Sequence, residues 1–245
     1  MKRLFTILLL AFSLALTAKY PDPASILRAI DANTRFTSLK STTRMVIKSR
    51  RASRTVSSIN YSKGDNSFFS EYTSPPRDKG TKMLKLGGNL WIYNPGTDRI
   101  VQISGNMLNQ SVMGSDLSYE DFMEENSLLQ DYNAVIEGEA TYDKREVWNI
   151  MLTAKRKGLS YPKKRIYVDK ERLLPLYEQW FSSSGKLLKT VRSDQVSRIG
   201  NRWYPKHVVF KDELKEGSGT DYYVDSIAFD LKIPDAIFSK GSLKK

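Results

Sequence analysis

The chain of 245 residues contains no cysteine and only one histidine, His207. The absence of cysteine excludes disulfides, thiolate metal sites and a cysteine nucleophile. No G-x-S-x-G or H-E-x-x-H pattern surrounds His207, which alternates into a strand-like segment where a lone histidine is usually a surface or packed residue. Of the residue types common in catalytic motifs, cysteine is therefore absent and histidine is present once, without a local motif.

Long apolar runs are also missing, except at the beginning of the chain. Lys2 and Arg3 precede an apolar stretch, and small residues follow it with cleavage positions after Ala15 or Ala18. A membrane-spanning helix needs about 20 apolar residues, and this stretch is shorter. Residues 1–18 are therefore predicted to be a cleaved signal peptide. No cysteine follows for acylation, so we expect a soluble periplasmic protein without a lipid anchor.

Acidic residues are fewer than basic ones, 27 against 39, which gives a formal charge of +12. An exported protein rarely meets nucleic acid, so no nucleic-acid partner is expected. The excess favours an anionic membrane surface or an acidic partner. Solvated lysines that protect strand edges account for part of it.

After the signal segment the sequence predicts one helix. Asp22 is a suitable N-cap, Pro23 suits the first helical position, and Ile26, Leu27 and Ile30 form one apolar stripe.

Beyond this helix the hydrophobic period changes from about 3.6 to about 2, which is typical of strands. Hairpin turns are predicted at 87–89 and 94–98. A short closing helical turn is predicted within 233–238. Strands are predicted over 41–49, 53–62, 66–74, 81–104 (three strands), 133–143, 145–156, 162–171, 174–196 (two strands), 202–213 and 221–231.

Residues 105–128 interrupt the alternation and favour short helices. About a dozen hairpin-linked strands form an antiparallel sheet that must curl. Only the helices at 23–34 and 105–128 are available to cover one of its faces. We therefore predict a single domain over 19–245: a mainly β, half-open barrel with a helical lid and a cavity between lid and sheet.

The segment MGSDLSYEDF (113–122) decides whether the chain is interpreted as an enzyme. Ser118 and Asp121 have the spacing of a capping box, and Leu117 and Phe122 have that of a hydrophobic staple. Acidic side chains in a first turn are favoured by the helix dipole. The acidic cluster is therefore predicted to be a helix N-terminus in the lid.

Gly114, Ser115 and Asp116 lead into this cap, and Gly114 allows a sharp turn. Asp116, Glu120 and Asp121 lack the number and spacing of oxygen ligands that calcium loops require. We predict no metal and no cofactor.

The same segment carries a resemblance. MGSDLSYEDF, with LWIYNPGTDRIVQIS upstream and VDKERLLPLYEQWFSSSGKLLKTV downstream, resembles the outer-membrane lipoprotein-sorting proteins, more narrowly a LolA-like branch with a G-S-D-[FL]-S-Y-x-D segment. The resemblance implies a curved antiparallel sheet closed by helices. It also implies a periplasmic carrier of acylated lipoproteins or other lipids, with an inner-membrane exporter as partner.

Such a cargo requires an apolar cavity. Exposing an acyl chain of about sixteen carbons to water costs on the order of 12 kcal/mol, at about 0.8 kcal/mol per CH₂. Methionine and aromatic side chains on a movable lid suit binding and release. The predicted lining residues are Met45, Ile47, Phe69, Leu84, Leu86, Trp91, Tyr93, Met107, Met113, Leu117, Phe122, Met123, Trp148 and Trp180. The sequence does not indicate which strand face points inward.

Three other functions stay open. An exported enzyme such as a glycan hydrolase needs carboxylates that pair in space, and no pair has a local signature. An outer-membrane β-barrel is disfavoured by basic residues such as Arg44, Lys48, Lys164 and Arg165 on strand faces. A plain interaction module would share the fold without a lipid-sized cavity.

Overall fold

The structure is a computed structural model that describes residues 19–48, 52–123 and 127–244. The predicted signal peptide, 1–18, lies outside the described residues.

The first helix, α1, spans Pro23–Thr34 and begins as predicted. The Asp22 side chain accepts hydrogen bonds from the backbone N–H groups of Ala24 and Ser25, both at 3.2 Å, and Pro23 occupies the first turn. These contacts satisfy two N–H groups that a helix start leaves without partners. The apolar stripe is buried: Ile26, Leu27 and Ile30.

Thirteen strands in the described residues form one antiparallel sheet. They are β1 (Ser38–Lys48), β2 (Ser53–Lys63), β3 (Ser67–Ser74), β4 (Lys82–Leu86), β5 (Asn89–Asn94), β6 (Arg99–Ile103), β7 (Tyr132–Tyr142), β8 (Arg145–Ala154), β9 (Lys163–Asp169), β10 (Pro175–Phe181), β11 (Leu187–Ile199), β12 (Arg202–Asp212) and β13 (Gly219–Phe229).

The sheet consists of two meanders joined at a seam. Strands β1 to β6 pair in sequence, β7 to β13 pair in sequence, and β1 pairs with β13. The edges are β6 and β7, so the sheet is open and forms a half-barrel. Register shifts within five strand pairs are typical of β-bulges, which increase twist and help a large sheet to curl.

Because β6 and β7 lie at opposite edges, the chain between them must cross one face of the sheet. We call residues 104–123 and 127–131 the crossing segment and the face that it covers the inner face. The segment contains short 3₁₀ helices at Gly105–Asn109 and Val112–Gly114, then α2 (Tyr119–Met123) and α3 (Leu128–Asp131). The predicted short helices over 105–128 are thereby confirmed.

The predicted capping box is present at the beginning of α2. The Ser118 N–H donates to Asp121 Oδ2 at 2.7 Å, and the Asp121 N–H donates to Ser118 Oγ at 3.3 Å. Gly114 has φ = +72°, a left-handed conformation that glycine adopts without cost, so the sharp turn before the cap is confirmed.

The outer face has its own cover. The C-terminal 3₁₀ helices, Asp235–Ile237 and Lys240–Lys244, pack there against β3, β4 and β5. The inner and outer faces of the first meander are therefore both buried by helical segments.

Candidate functional site

A cavity of about 390 Å³ lies on the inner face, between the strands β9 to β12 and the helices α1 and α3. Its volume is within the range of about 300–1,000 Å³ that is usual for ligand sites. Apolar and aromatic residues form most of its wall: Ile30, Phe36, Leu128, Tyr132, Leu174, Pro175, Trp180, Trp203, Tyr204 and Pro205.

A lysine and a glutamate lie on adjacent strands in this wall, in diagonal register. Lys164 on β9 is the register partner of Trp180 on β10, and Glu178 lies two residues before Trp180 on the same face. Trp180 Nε1 donates to Glu178 Oε2 at 2.9 Å. Burial raises the pKa of Glu178, although the nearby Lys164 ammonium and the Trp180 hydrogen bond act in the opposite direction.

Three aromatic rings lie close to the ammonium group of Lys164, a residue that is only 6% exposed. Its Nζ lies 4.3 Å from the ring centroid of Trp180 and 5.2 and 5.5 Å from those of Tyr132 and Tyr161. Such cation–π contacts stabilise a buried ammonium group by about 2 kcal/mol when it is desolvated. The wall of the cavity therefore contains a buried lysine side chain that is packed among aromatic rings.

Asp121, at the beginning of α2, forms the boundary of the cavity on the side of the first meander. Its carboxylate pairs with the buried ammonium of Lys189 on β11 and accepts a hydrogen bond from the Tyr161 hydroxyl at 2.8 Å. The capping residue thus also fixes the crossing segment to the sheet.

A surface groove of about 630 Å³ adjoins the cavity between the end of α1 and α3. The two spaces share Asp31, Phe36 and Ser127 in their walls. The groove is also lined by charged residues: Arg28, Arg35, Arg202 and Asp230, of which Arg202 and Asp230 pair at 3.1 Å. The groove and the cavity are therefore neighbouring spaces.

The inner face under the beginning of the crossing segment is filled instead of hollow. Seven predicted lining residues lie there, between sheet and crossing segment as expected, but they pack against one another and against Val56, Phe68 and Met83. These residues are Met45, Ile47, Met107, Met113, Leu117, Phe122 and Met123.

Five other predicted lining residues lie on the outer face. They contact the C-terminal residues Ile237, Phe238 and Leu243 and not the crossing segment. These residues are Phe69, Leu84, Leu86, Trp91 and Tyr93. Period-2 alternation separates them from inner-face neighbours such as Phe68 and Met83, and alternation alone does not say which set points inward.

Two predicted lining residues lie in the second meander. Trp180 lines the cavity, and Trp148 packs on the inner face beside the cluster formed with α1. Sequence reasoning missed Lys164 and Glu178. A signal was available for Lys164, because it alternates in phase with the apolar Ile166 and Val168 and is therefore placed on a buried face.

The remaining cap residues fix the crossing segment to the seam. Asp116 is buried and accepts hydrogen bonds from the Asp212 N–H at 2.9 Å and the Thr220 hydroxyl at 2.8 Å. The Ser115 hydroxyl accepts from the Leu117 N–H at 3.1 Å. Arg54, which lies on β2, donates a hydrogen bond to the Met113 carbonyl oxygen.

His207 lies on the outer face, away from the cavity. Its ring nitrogens are 2.7 Å from Asp194 Oδ1 and 2.9 Å from Asp221 Oδ1, in a cross-strand chain of polar contacts that ends at Lys48. Burial raises the pKa of Asp221, but the hydrogen bonds from Lys48 and His207 outweigh it and lower the pKa overall. This chain links β11, β12, β13 and β1.

Within residues 19–48, 52–123 and 127–244, no group of three or more His, Cys, Asp or Glu side chains is arranged to hold a metal ion. In the same part of the chain, no helix has the length and apolar character needed to cross a lipid bilayer.

A family model described as "Uncharacterized protein" matches residues 64–245, which is most of the chain. The chain belongs to this family. No curated protein matches the sequence.

Solved structures with the same fold include a DUF1329 family protein from Desulfovibrio piger, 23% identical, with a TM-score of 0.83 over 91% of this chain and 100% of that one. An outer membrane lipoprotein-sorting protein domain from Vibrio parahaemolyticus is 20% identical, with a TM-score of 0.79 over 91% and 98%. A LolA superfamily protein from Nitrosomonas europaea is 22% identical, with a TM-score of 0.74 over 91% and 100%.

These similarities confirm the predicted fold: a mainly β, open antiparallel half-barrel of the LolA type, covered by short helices. The resemblance to outer-membrane lipoprotein-sorting proteins is thus confirmed at the level of the fold. The narrower G-S-D-[FL]-S-Y-x-D branch stays a prediction.

Proposed function

We propose that the protein is a periplasmic, non-enzymatic carrier that binds an acyl chain of a lipid or lipoprotein and carries it toward the outer membrane. The observation that carries this proposal is the cavity between α1, α3 and the strands β9 to β12, with its largely apolar wall and adjoining groove. Two of the solved structures with this fold bear lipoprotein-sorting or LolA names.

The apolar wall replaces the apolar surroundings that an acyl chain loses when it leaves a membrane. Each CH₂ that enters water costs about 0.8 kcal/mol, so a soluble carrier must replace that burial. The aromatic residues Tyr132, Trp180, Trp203 and Tyr204 supply large apolar surfaces in the cavity wall.

Export and docking belong to the same proposal. Residues 1–18 act as the signal peptide, and 19–245 form a single carrier domain. An inner-membrane exporter delivers the cargo, and the basic surface docks to anionic membranes. Cell fractionation tests the location, since a periplasmic carrier is released by osmotic shock without detergent.

Lipid content of the purified protein tests the carrier function. We expect organic extracts of detergent-free wild-type protein to contain acyl lipids that mass spectrometry detects. Ser193→Phe places a ring in the cavity and should lower the amount of bound lipid at least about tenfold, because a filled pocket has no room for the chain.

Ser226→Phe makes the same change at an exposed position of β13 outside the cavity and is the matched control. Wild-type protein that carries no acyl lipid and takes none up from vesicles, or Ser193→Phe protein that binds as much as wild type, would contradict the proposal.

A further inference from the structure

Positive charge is concentrated at one end of the second meander, away from the cavity wall. A space of about 630 Å³ lies there, between the loop that joins β8 to β9 (155–162) and the hairpin turn that joins β10 to β11 (182–186). None of the described residues that line this space is acidic. We call the lysines of the loop, the hairpin turn and the first position of β9 the basic end: Lys155, Lys157, Lys163 and Lys186.

Most of this charge is not used to hold the fold together. Arg156, the fifth cation of the region, pairs with Asp131 at 2.9 Å. In the described part of the chain, by contrast, no carboxylate pairs with Lys157, Lys163 or Lys186, and all three residues are exposed. Three ammonium groups at one end of the sheet thus face solvent without an anionic partner.

Hydroxyl groups complete the lining of the space. They belong to Thr153, Ser160, Ser182 and Ser183. The Lys186 N–H donates to Ser182 Oγ at 3.1 Å, which closes the hairpin turn and places this lysine beside the serines. Ammonium groups and hydroxyls are both donors for phosphate oxygens, so this lining suits phosphate head groups.

An exposed leucine lies next to the basic end. Leu214, in the turn between β12 and β13, is 59% exposed. The preceding residue, Glu213, donates its N–H to the carbonyl oxygen of Leu188, which lines the same space, at 2.9 Å. The turn also contains Lys215 and Glu216, so the excess positive charge comes from the loop and the hairpin and not from the turn.

Cations beside an exposed apolar side chain fit the surface of a lipid bilayer. Lysines near an anionic leaflet are attracted to its head groups, and an apolar side chain gains free energy when it enters the boundary between head groups and acyl chains. A free phosphate ion or an acidic protein surface would use the cations and leave Leu214 in water. The combination therefore favours a bilayer as the partner.

We infer that the basic end, together with Leu214, is the surface by which the protein docks on an anionic phospholipid bilayer. This inference rests on the proposed carrier function and names the part of the molecule that meets the membrane. Lys155 Nζ donates to the Leu129 carbonyl oxygen of α3 at 2.6 Å, so docking by this surface brings α3 close to the bilayer. Leu128 of α3 belongs to the cavity wall, so the cavity lies near the lipid in the docked state.

Flotation of the protein, residues 19–245, with lipid vesicles tests the docking. We expect vesicles of phosphatidylcholine with about 30% phosphatidylglycerol to bind at least about tenfold more protein than phosphatidylcholine alone at low ionic strength, and added salt to weaken this binding. Inorganic phosphate that replaces chloride at equal ionic strength should not release the protein. Release by phosphate would overturn the inference, because the site would then take the free ion.

A triple variant locates the surface: Lys157→Gln with Lys163→Gln and Lys186→Gln. Each lysine near an anionic leaflet contributes about fivefold to binding, or about 1 kcal/mol, so the triple variant should bind about 100-fold more weakly. The control triple variant removes three charges from exposed residues near the opposite ends of the strands: Lys144→Gln, Arg198→Gln and Lys232→Gln. It has the same net charge and should bind within about threefold of wild type.

Two further variants separate docking from other forms of lipid binding. Leu214→Ser should weaken binding to the anionic vesicles about fivefold and leave its salt dependence unchanged. Ser193→Phe, which fills the cavity, should dock as wild type does, so docking and lipid carriage can fail independently.

Equal binding of wild type to both kinds of vesicle would overturn anionic docking and leave the carrier function standing. Equal binding by the two triple variants would overturn the role of the basic end, and unchanged binding by Leu214→Ser would overturn the insertion of the leucine. Loss of docking in Ser193→Phe would show that vesicles bind through the cavity and would also overturn the inference. The wild-type comparison does not depend on whether any variant folds.

Discussion

The two halves of the inner face differ in how they use the space under their helices. Beneath α2, the side chains of the first meander interdigitate with the crossing segment and leave a packed core. Beneath α1 and α3, the second meander leaves a cavity whose wall includes buried charge. The same curved sheet thus supplies a packed half, in which side chains fix the cover, and a hollow half, which contains the cavity.

Polar residues show the same difference. In the packed half, Asn60 lies in a closed network with Ser41, Thr43, Ser58 and Ser70, all buried and bonded to one another. In the hollow half, Lys164 and Glu178 border open space. The polar groups of the packed half thus satisfy one another within the core and specify one packing, whereas those of the hollow half lie in a cavity wall.

A substitution at the boundary between the two halves should cause the largest loss of stability. Asp121→Asn removes the partner of Lys189, whose side chain is 5% exposed. Breaking a buried ion pair from one side costs about 3–5 kcal/mol, because the other charge stays buried. We expect the free energy of unfolding in urea to fall by about 3 kcal/mol.

Glu120→Gln is the control for this change, since it removes the same charge from the same turn of α2 and should alter stability by less than about 0.5 kcal/mol. Replacing both partners, in Asp121→Asn with Lys189→Met, should recover part of the loss. An Asp121→Asn protein as stable as wild type would show that this pair does not hold the boundary.

A phenylalanine ring introduced into each half should lower stability much more in the packed half than in the hollow half. Ser70, 2% exposed, donates to Asn60 Oδ1 at 2.7 Å. Ser70→Phe therefore both overpacks the packed half and breaks the network, at a cost of about 3 kcal/mol. Ser193→Phe enters the cavity and should change stability by less than about 1 kcal/mol. Urea unfolding of both variants measures the difference, and equal losses would mean that the second half is not hollow in solution.

The smallest loss of stability is expected at Asp169, in the turn that leads to Leu174 of the cavity wall, and this loss should depend on pH. Burial raises the pKa of Asp169, but hydrogen bonds from Arg145 and the N–H groups of Arg172 and Glu171 outweigh it, so the pKa is lowered overall. A lowered pKa stabilises the fold above the unfolded value of about 4, and this stability is lost as pH falls through the folded pKa.

Asp169→Asn should therefore be about 2 kcal/mol less stable than wild type near neutral pH, since Arg145 is 30% exposed and its pairing is partly screened. That difference should shrink as the pH is lowered from about 5 to about 3. Glu171→Gln removes an ion pair with the same arginine, but the Glu171 side chain is 70% exposed. This change should therefore lower the free energy of unfolding by less than about 1 kcal/mol. A difference between wild type and Asp169→Asn that is independent of pH would refute this assignment.

Local patterns predicted the elements well because the physics of each is local. The cap at Asp22, the capping box at Ser118 and the two-residue turn at Gly87 depend on neighbours within a few residues. The strands follow from alternation, and the need for a cover follows from an open sheet with one apolar face.

The cavity was less accessible to sequence reasoning because its wall is assembled from distant segments. Ile30, Tyr132, Lys164 and Trp203 meet only after the first helix has packed on the second meander. The register shift between Pro175 and Tyr177 also interrupts the alternation of β10, just where Glu178 and Trp180 follow. The predicted lining was chosen among apolar residues, with emphasis on methionine and aromatic side chains. That choice located one residue of the cavity wall, Trp180, and missed its charged neighbours.

The pairing of β1 with β13 has a consequence for how the chain reaches this structure. The first strand finds its seam partner only in residues 219–229, so the contacts that join the two meanders span most of the chain. Non-local pairing of this kind slows folding, and hairpins can form long before the halves meet. We therefore expect each meander to collapse early and the docking of the last strand to set the overall rate, a step that cannot occur until residues 219–229 have been synthesised.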